Sequence, residues 1–159
     1  MNQLYRLAAA ALACLLAACA STPAPARLAD TLARNPQLST FNRLVQQAGL
    51  QEQLRAAGPL TVFAPSDEAF KAVPAKTLDA LAANPAELKA VLSYHLLNAK
   101  LAAADVQTGN AKTVQGAPVA LARAGEFVTV EDAMVQQADI MATNGVAHVI
   151  DRVLTPPKK

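Results

Sequence analysis

Near Gln107 the hydrophobic pattern of this chain changes period, and that change limits its architecture more than any other feature. Before it, apolar residues recur at helical spacing. Leu28 and Leu32 belong to one such run, and Phe41, Leu44 and Val45 to the next. Asn35-Pro36 separates the two, because a proline disfavours the α region in the residue before it. Ser39 or Thr40 can cap the second helix, and Gly49 ends it. A third helix is expected from about Leu50 to Ala57, stopped by Gly58. "LTVFA" then reads as a short buried strand. "NPAELKAVLSYHLL" is the clearest helix, with Asn84 as cap and Pro85 in the first position. After Gln107 the segments become short and β-like: "AKTVQG", "PVALA", "EFVTVED", "MVQQADIMA" and "VAHVIDRVL". Gly109, Gly116, Gly125 and Asn144-Gly145 punctuate them, and Asn-Gly between two strand patterns is a hairpin signal.

The amino terminus has a different character. "MNQLYR" carries one Arg, and an unbroken apolar run follows from Leu7 to Ala18. That run is too short to span a bilayer as a helix and has the length of a secretory signal core. "LAAC", Leu16 to Cys19, closes it and resembles the lipobox of bacterial lipoproteins, in which the cysteine becomes the lipidated first residue. Residues 1–18 are therefore expected to be a lipoprotein signal peptide, with Cys19 as the lipid attachment site. Residues 19–26 then form the lipidated Cys and a Pro/Ala tether, and residues 157–159 a basic tail. Ala20 is not the Asp that retains enteric lipoproteins in the inner membrane, so the expected location is the outer membrane, on either face. Cys14 and Cys19 are the only cysteines. A domain starting after them has no thiol and is expected to hold its core without a disulfide.

Several polar residues invite a chemical reading. Ser66, Asp67 and Glu68 stand between the LTVFA strand and a helical pattern. Ser66 is suited to capping that helix, and the two carboxylates suit the positive end of its dipole. His95 shares a face with Leu88, Val91, Leu92 and Leu96, which makes it a hydrogen-bonded core residue. Tyr94 lies off that face and is expected to be partly exposed. His148 sits in an apolar strand and is likewise expected inside. Ser66, His95 or His148, and Asp151 could be imagined as a triad, but no G-x-S-x-G elbow is present. Two histidines without free cysteine give no metal-ligand spacing, and the glycines form no phosphate loop. No cofactor, metal or catalytic residue is expected. Net charge is +2, from 14 Lys and Arg against 12 Asp and Glu. The only basic run is Lys158-Lys159, which argues against nucleic acid.

"TVFAPSDEAF", "LSYHLL" and "NGVAHVIDRVLTP" occur in the order that resembles a fasciclin domain. The first and last are similar to that family's two signature boxes, and the middle one to its tyrosine-histidine motif. The resemblance covers residues 27–156. Ser66-Asp67 stands where Thr-Asn is common, and Ala147 where a larger aliphatic is usual. The resemblance implies an α+β fold: a twisted β-sandwich or wedge with N-terminal and flanking helices. In its motif positions it marks Ser66, Asp67, Asn144, Gly145, His148 and Asp151 as structural. It implies adhesion or interaction with proteins or glycans, and no cofactor. In animal matrix proteins the tyrosine-histidine region is linked to integrin binding; for this chain only the position transfers, to Tyr94 and His95, with Leu97 beside them.

The expected function is a membrane-tethered, non-catalytic interaction module, a monomeric domain whose partner is a protein or a glycan. The alternative is a periplasmic carrier of a small apolar ligand. An enclosed apolar pocket would favour the carrier. Exposed Tyr94 or Leu97 on a flat face would favour adhesion.

Overall fold

The computed structural model describes residues 26–157. The expected signal peptide, Cys19, most of the tether and Lys158-Lys159 lie outside the described residues. Six α-helices and seven strands follow in the order α1 Leu28–Ala33, α2 Ser39–Gln47, α3 Gln51–Arg55, β1 Leu60–Pro65, α4 Asp67–Lys71, α5 Ala75–Ala83, α6 Pro85–Tyr94, β2 Leu96–Leu97, β3 Gly109–Lys112, β4 Pro118–Ala124, β5 Phe127–Val130, β6 Ala133–Ala142 and β7 Gly145–Ile150. Short 3-10 turns at Pro36–Leu38 and Ala103–Asp105 complete the chain. The α+β expectation holds, with most helices preceding most strands. α5 has no counterpart in the sequence reading, because its apolar residues are mostly alanine and it buries none fully. "LSYHLL" is not helical throughout. The helix stops at Tyr94, and Leu96–Leu97 turn into strand to pair with Val62 and Thr61.

The strands form one sheet in the order β2-β1-β7-β6-β5-β4-β3. β1 and β7 lie side by side and parallel at its centre, with Leu60 opposite Gly145 and Pro65 opposite Ile150. The two signature boxes, far apart in sequence, are thus neighbouring strands. Both are buried at every position, as expected for parallel strands covered on both faces. Their side chains alternate between two cores. Leu60, Val62, Ala64, Ala147 and Val149 face the helices with Leu28, Leu32, Phe41, Leu54 and Leu88. Phe63 and Ile150 face the inside of the curled sheet with Tyr94, Leu97, Val119, Val128 and Val130. The sheet curls far enough for its outer strands to meet through a single bridge, Leu97 to Thr113.

The β6–β7 hairpin joins the helices to the sheet. Asn144 Oδ1 accepts from Leu28 N at 2.8 Å, and its Nδ2 donates to Leu54 O and Ala56 O, both at 2.8 Å. Its carbonyl accepts from Leu60 N at 3.1 Å. One residue therefore holds the start of α1, the end of α3, the start of β1 and the hairpin itself. Neither Thr143 nor Asn144 has positive φ. The Asn-Gly pair does make a hairpin, but not through the left-handed turn it usually marks. Gly145 is needed for close approach instead: a Cβ there would stand 2.0 Å from Leu60 O, and one on Gly58 would stand 1.9 Å from Asn144 O.

Removing the Asn144 amide should destabilise the whole domain. Asn144→Ala is expected to lower stability by about 2–4 kcal/mol, the loss of three hydrogen bonds at roughly 1 kcal/mol each with partners left partly buried. Asn144→Asp keeps the acceptor for Leu28 N but sets a carboxylate against two carbonyls, so it should be no better than Ala. Urea melts of the three proteins check this ranking; an aspartate variant as stable as wild type would show that the two donated bonds carry no weight.

Candidate functional site

The motif residues are brought together as internal joints. Ser66 Oγ accepts from Ala69 N at 3.2 Å and caps α4, the role its position suggests. Asp67 reaches outside its own helix. Its carboxylate accepts from Ser39 Oγ at 2.7 Å and Thr40 N at 2.8 Å, and so supplies the side-chain cap that α2 does not make for itself. Burial works to raise the Asp67 pKa, but the bonds from Ser39 and Thr40 outweigh it and hold the carboxyl below its ordinary value. Asp151 Oδ1 accepts from Met134 N at 2.7 Å, while its own N–H donates to Met134 O at 3.1 Å, fixing where β6 begins.

Both histidines are buried and bridge segments. His95 is fully buried. Its Nδ1–H donates to Val91 O at 2.8 Å, and its Nε2 accepts from Leu154 N at 3.0 Å. The accepted bond fixes the tautomer, since Nε2 must be unprotonated to receive an N–H. His148 has the opposite tautomer. Its Nδ1 accepts from Asp139 N at 3.2 Å and its Nε2–H donates to Leu101 O at 2.7 Å, with the ring stacked on Phe63 at 5.6 Å. Burial pushes His95 down to about 4, against the bond to Val91. It also lowers His148, against the bond to Leu101 and the charge of Asp139.

Tyr94 and Leu97 differ from the sequence reading. Tyr94 is 2 % exposed, not a surface residue. The helix turns its ring into the wedge core, where the hydroxyl meets Pro118 O at 3.0 Å and Glu131 Oε1 at 3.1 Å. Burial, with Glu131 beside it, pushes its pKa up to about 12. Leu88 and Leu92 of α6 meet the helix-side core and Tyr94 meets the other, so α6 is buried on two sides rather than one. Leu97, 2 % exposed, packs in the same core as Tyr94. Neither presents the exposed recognition face that an adhesive surface would use.

Residues not singled out in the sequence complete the joints. Thr61 Oγ1 donates to Ala99 O at 2.5 Å and accepts from Leu101 N at 2.9 Å. Glu131, at φ 55, also accepts from Ala120 N at 2.8 Å. Asp139 Oδ1 accepts from Ala103 N at 2.8 Å, across two register shifts in β6. A threonine inside a strand otherwise buried and apolar was the one readable signal, because such a hydroxyl needs a partner. Among the described residues every buried side-chain polar atom has one, and no three His, Asp or Glu side chains come together as a metal-binding group.

What remains open is surface. One cleft, about 800 Å³, runs between α2, α4 and α5 and is lined by Thr40, Arg43, Glu68, Lys71, Phe70 and Leu78 among others. A second, about 680 Å³, lies where β2 and β3 diverge. Both are open and mixed in lining, unlike an enclosed apolar carrier pocket. Phe127 (66 % exposed) and Met134 are exposed on β5 and β6.

The fasciclin domain model matches residues 36–156. This chain belongs to the fasciclin domain family. It is 39 % identical over 140 residues to protein sll1483 of Synechocystis sp., covering 87 % of this chain and 78 % of that one. It is 38 % identical over 137 residues to transforming growth factor-beta-induced protein ig-h3 of Sus scrofa, covering 86 % of this chain but only 20 % of that protein. The immunogenic protein MPB70 of Mycobacterium bovis is 34 % identical over 135 residues, covering 82 % of this chain and 69 % of its own. The fold matches a domain pair of the insect cell adhesion molecule fasciclin I with a TM-score of 0.68, at 18 % identity, over 82 % of this chain and 51 % of that one. The chain thus spans a fifth of the Sus scrofa relative and half of the solved pair.

Two predictions follow from the buried rings. The folded-state pKa of His95 lies below its ordinary 6.5, so the native state binds fewer protons than the unfolded chain between those values. The stability this supplies is complete above about pH 6.5 and is lost as pH falls towards 4, by about 3 kcal/mol from this group. His148 adds in the same direction. Urea midpoints from pH 7 to 4 should fall accordingly, and His95→Gln should start less stable but decline less steeply. A wild-type stability flat over this range would mean that the rings are not held neutral. Tyr94→Phe removes two hydrogen bonds without opening a cavity, so it should cost about 1–3 kcal/mol, contrary to a surface tyrosine, which would cost nothing measurable.

Proposed function

We propose that this protein is an envelope-tethered, non-catalytic interaction module, anchored by a lipid on Cys19 and held in the outer membrane with its fasciclin domain free to contact a protein or a glycan. The observation that carries this reading is the use made of the chemistry-bearing motif residues. Ser66, Asp67, His95, His148 and Asp151 are all engaged in bonds to backbone or side chains of the same domain. His95 and His148 are buried, and burial lowers the pKa of both, so both rings are neutral. A nucleophile, base or metal ligand needs an accessible atom near substrate, and these atoms are spent on the fold. Recognition is left to the open clefts and exposed faces.

The amino-terminal attachment suits a tether. Ala26 O accepts from Thr143 N at 2.9 Å, and Leu28 N is held by Asn144. The chain therefore leaves the domain at the β6–β7 hairpin, against the best-tied point of the fold. The residues between Cys19 and Ala26 reach roughly 25 Å at full extension. That distance keeps the hairpin end near the lipid and leaves the opposite end facing outward.

Membrane fractionation tests the anchor. Acyl chains contribute about 0.8 kcal/mol per buried methylene, so two or three chains hold a protein in the bilayer effectively permanently. The wild type should sediment with membranes and Cys19→Ser should not; equal retention of both rules out lipidation at Cys19. Protease treatment of intact cells then separates a surface-exposed domain, which is digested, from a periplasmic one, which is protected.

A further inference from the structure

The sheet leaves its last seam unzipped, and the seam is held open from beneath. β2 and β3 run antiparallel and touch at the Leu97–Thr113 bridge, beside Val114 N donating to Leu96 O at 2.8 Å. Continuing that register would pair Asn98 with Lys112 and Lys100 with Asn110. No such pairs form; the bridge stands alone. The cause lies in the bank after Leu97. Ala99 O and Leu101 N are drawn onto Thr61 Oγ1, and Leu101 O onto His148 Nε2. Thr61 and His148 are buried, so these anchors are not easily exchanged for water. The bank is pulled away from β3, and the slot of about 680 Å³ opens between Asn98, Ala99 and Leu101 on one side and Ala111, Lys112 and Val114 on the other.

The backbone groups on both banks point into this slot. Thr113 N donates to Ala117 O, so in the β3–β4 register the bonded pairs are Thr113/Ala117, Ala111/Val119 and Gly109/Leu121. In an antiparallel ladder, the residues between bonded pairs turn their N–H and C=O to the other side. Asn110 and Lys112 therefore direct theirs towards the slot. The same alternation applies to β2. Phe63 N donates to His95 O, so Phe63/His95 and Thr61/Leu97 are bonded pairs, and Asn98 points outward. Asn98, Lys100, Asn110 and Lys112 are all exposed, while Leu97 lies buried beneath and Leu101 and Ala111 pack partly on the wedge core.

We propose that this slot is a strand-addition site, in which an extended acidic segment of a partner polypeptide pairs with the free edge of β3. The site offers main-chain donors and acceptors at strand spacing and a floor of Leu97, Leu101 and Ala111 for alternate apolar side chains, the two requirements of β-strand addition. Charge favours an acidic partner. Lys112 lines the slot, and among the described residues it forms no ion pair. A carboxylate on the added strand would meet it. A protected edge would be covered or closed; this one is kept apart from its natural neighbour by buried hydrogen bonds. The proposal deepens the interaction-module reading and rests on it.

The test uses the purified protein in detergent and a fluorescent form of the peptide Ac-Val-Glu-Val-Thr-Val-Glu-NH2. Saturable anisotropy is expected, with slowed hydrogen exchange confined to the segments around Asn98 and Asn110 to Lys112. N-methylation of at least one alternate set of peptide amides should abolish binding. Lys112→Pro removes an N–H that the β3–β4 ladder does not use, a position where an edge strand accepts proline. It should weaken binding roughly tenfold, the loss of one backbone bond, with an unchanged melt. No saturable signal at millimolar peptide, protection elsewhere on the domain, or full binding by both N-methylated peptides each overturns the site. A protein that takes no peptide yet stays membrane-bound and digestible on intact cells loses this site and keeps the module reading.

Discussion

The amide of Asn144 is the junction on which the rest of the structure depends. Three of its hydrogen bonds go to backbone atoms of α1 and the α3 terminus, and its own carbonyl holds the start of β1. These groups are helix ends and a strand end, which have no partner within their own element. A single side chain with one acceptor and two donors satisfies three of them together. The two glycines nearby make this possible. Gly58 and Gly145 let backbones approach closer than any Cβ allows, so β1 and β7 can lie parallel with the hairpin carbonyl between them. Without that contact the start of α1 and the end of α3 would lose their partners beside the central strands.

The same device recurs around the domain. Asp67 caps α2 from a neighbouring helix, Asp151 sets the start of β6, His95 ties α6 to Leu154, and His148 ties the β6 irregularity to Leu101. Each replaces a missing backbone partner with a side chain from elsewhere in sequence. Such bonds are short-range in space and long-range in sequence, so they define tertiary arrangement rather than secondary structure. Two of them depend on neutral imidazoles in dry surroundings, which makes the domain's stability sensitive to acid.

These joints also change what the family motifs mean here. The residues that draw attention in the sequence are the ones that fold the domain, and their chemistry is used up within it. Thr61 and His148 do more than satisfy themselves: they hold Ala99 and Leu101, in the segment after β2, by buried hydrogen bonds beside the slot that borders β3. The fold therefore shapes its surface from the inside. Buried polar groups decide where an edge stays free, and the exposed residues around that edge decide what can lie along it.

The sequence alone determined the local features. Ser66 caps α4 and Asn84 caps α6, with Pro85 following it, because a cap depends on a few neighbouring residues. His95 faces the interior because its spacing from Val91 and Leu92 is a property of one helix. The fasciclin motifs were legible as ordered strings, and with them the fold. Only the tertiary structure decided the rest. Tyr94 is buried because a second core, built from β4 and β5, covers the side of α6 that looked free. Leu96–Leu97 became a strand because Thr61 and Val62 offered an edge. Asn144 reads as a turn residue in sequence and acts as a four-way junction in space. The physical reason is common to all three: periodicity reports which face of an element is apolar, but burial and pairing depend on what other segments place against that element. Those partners lie tens of residues away and are not written in its own spacing.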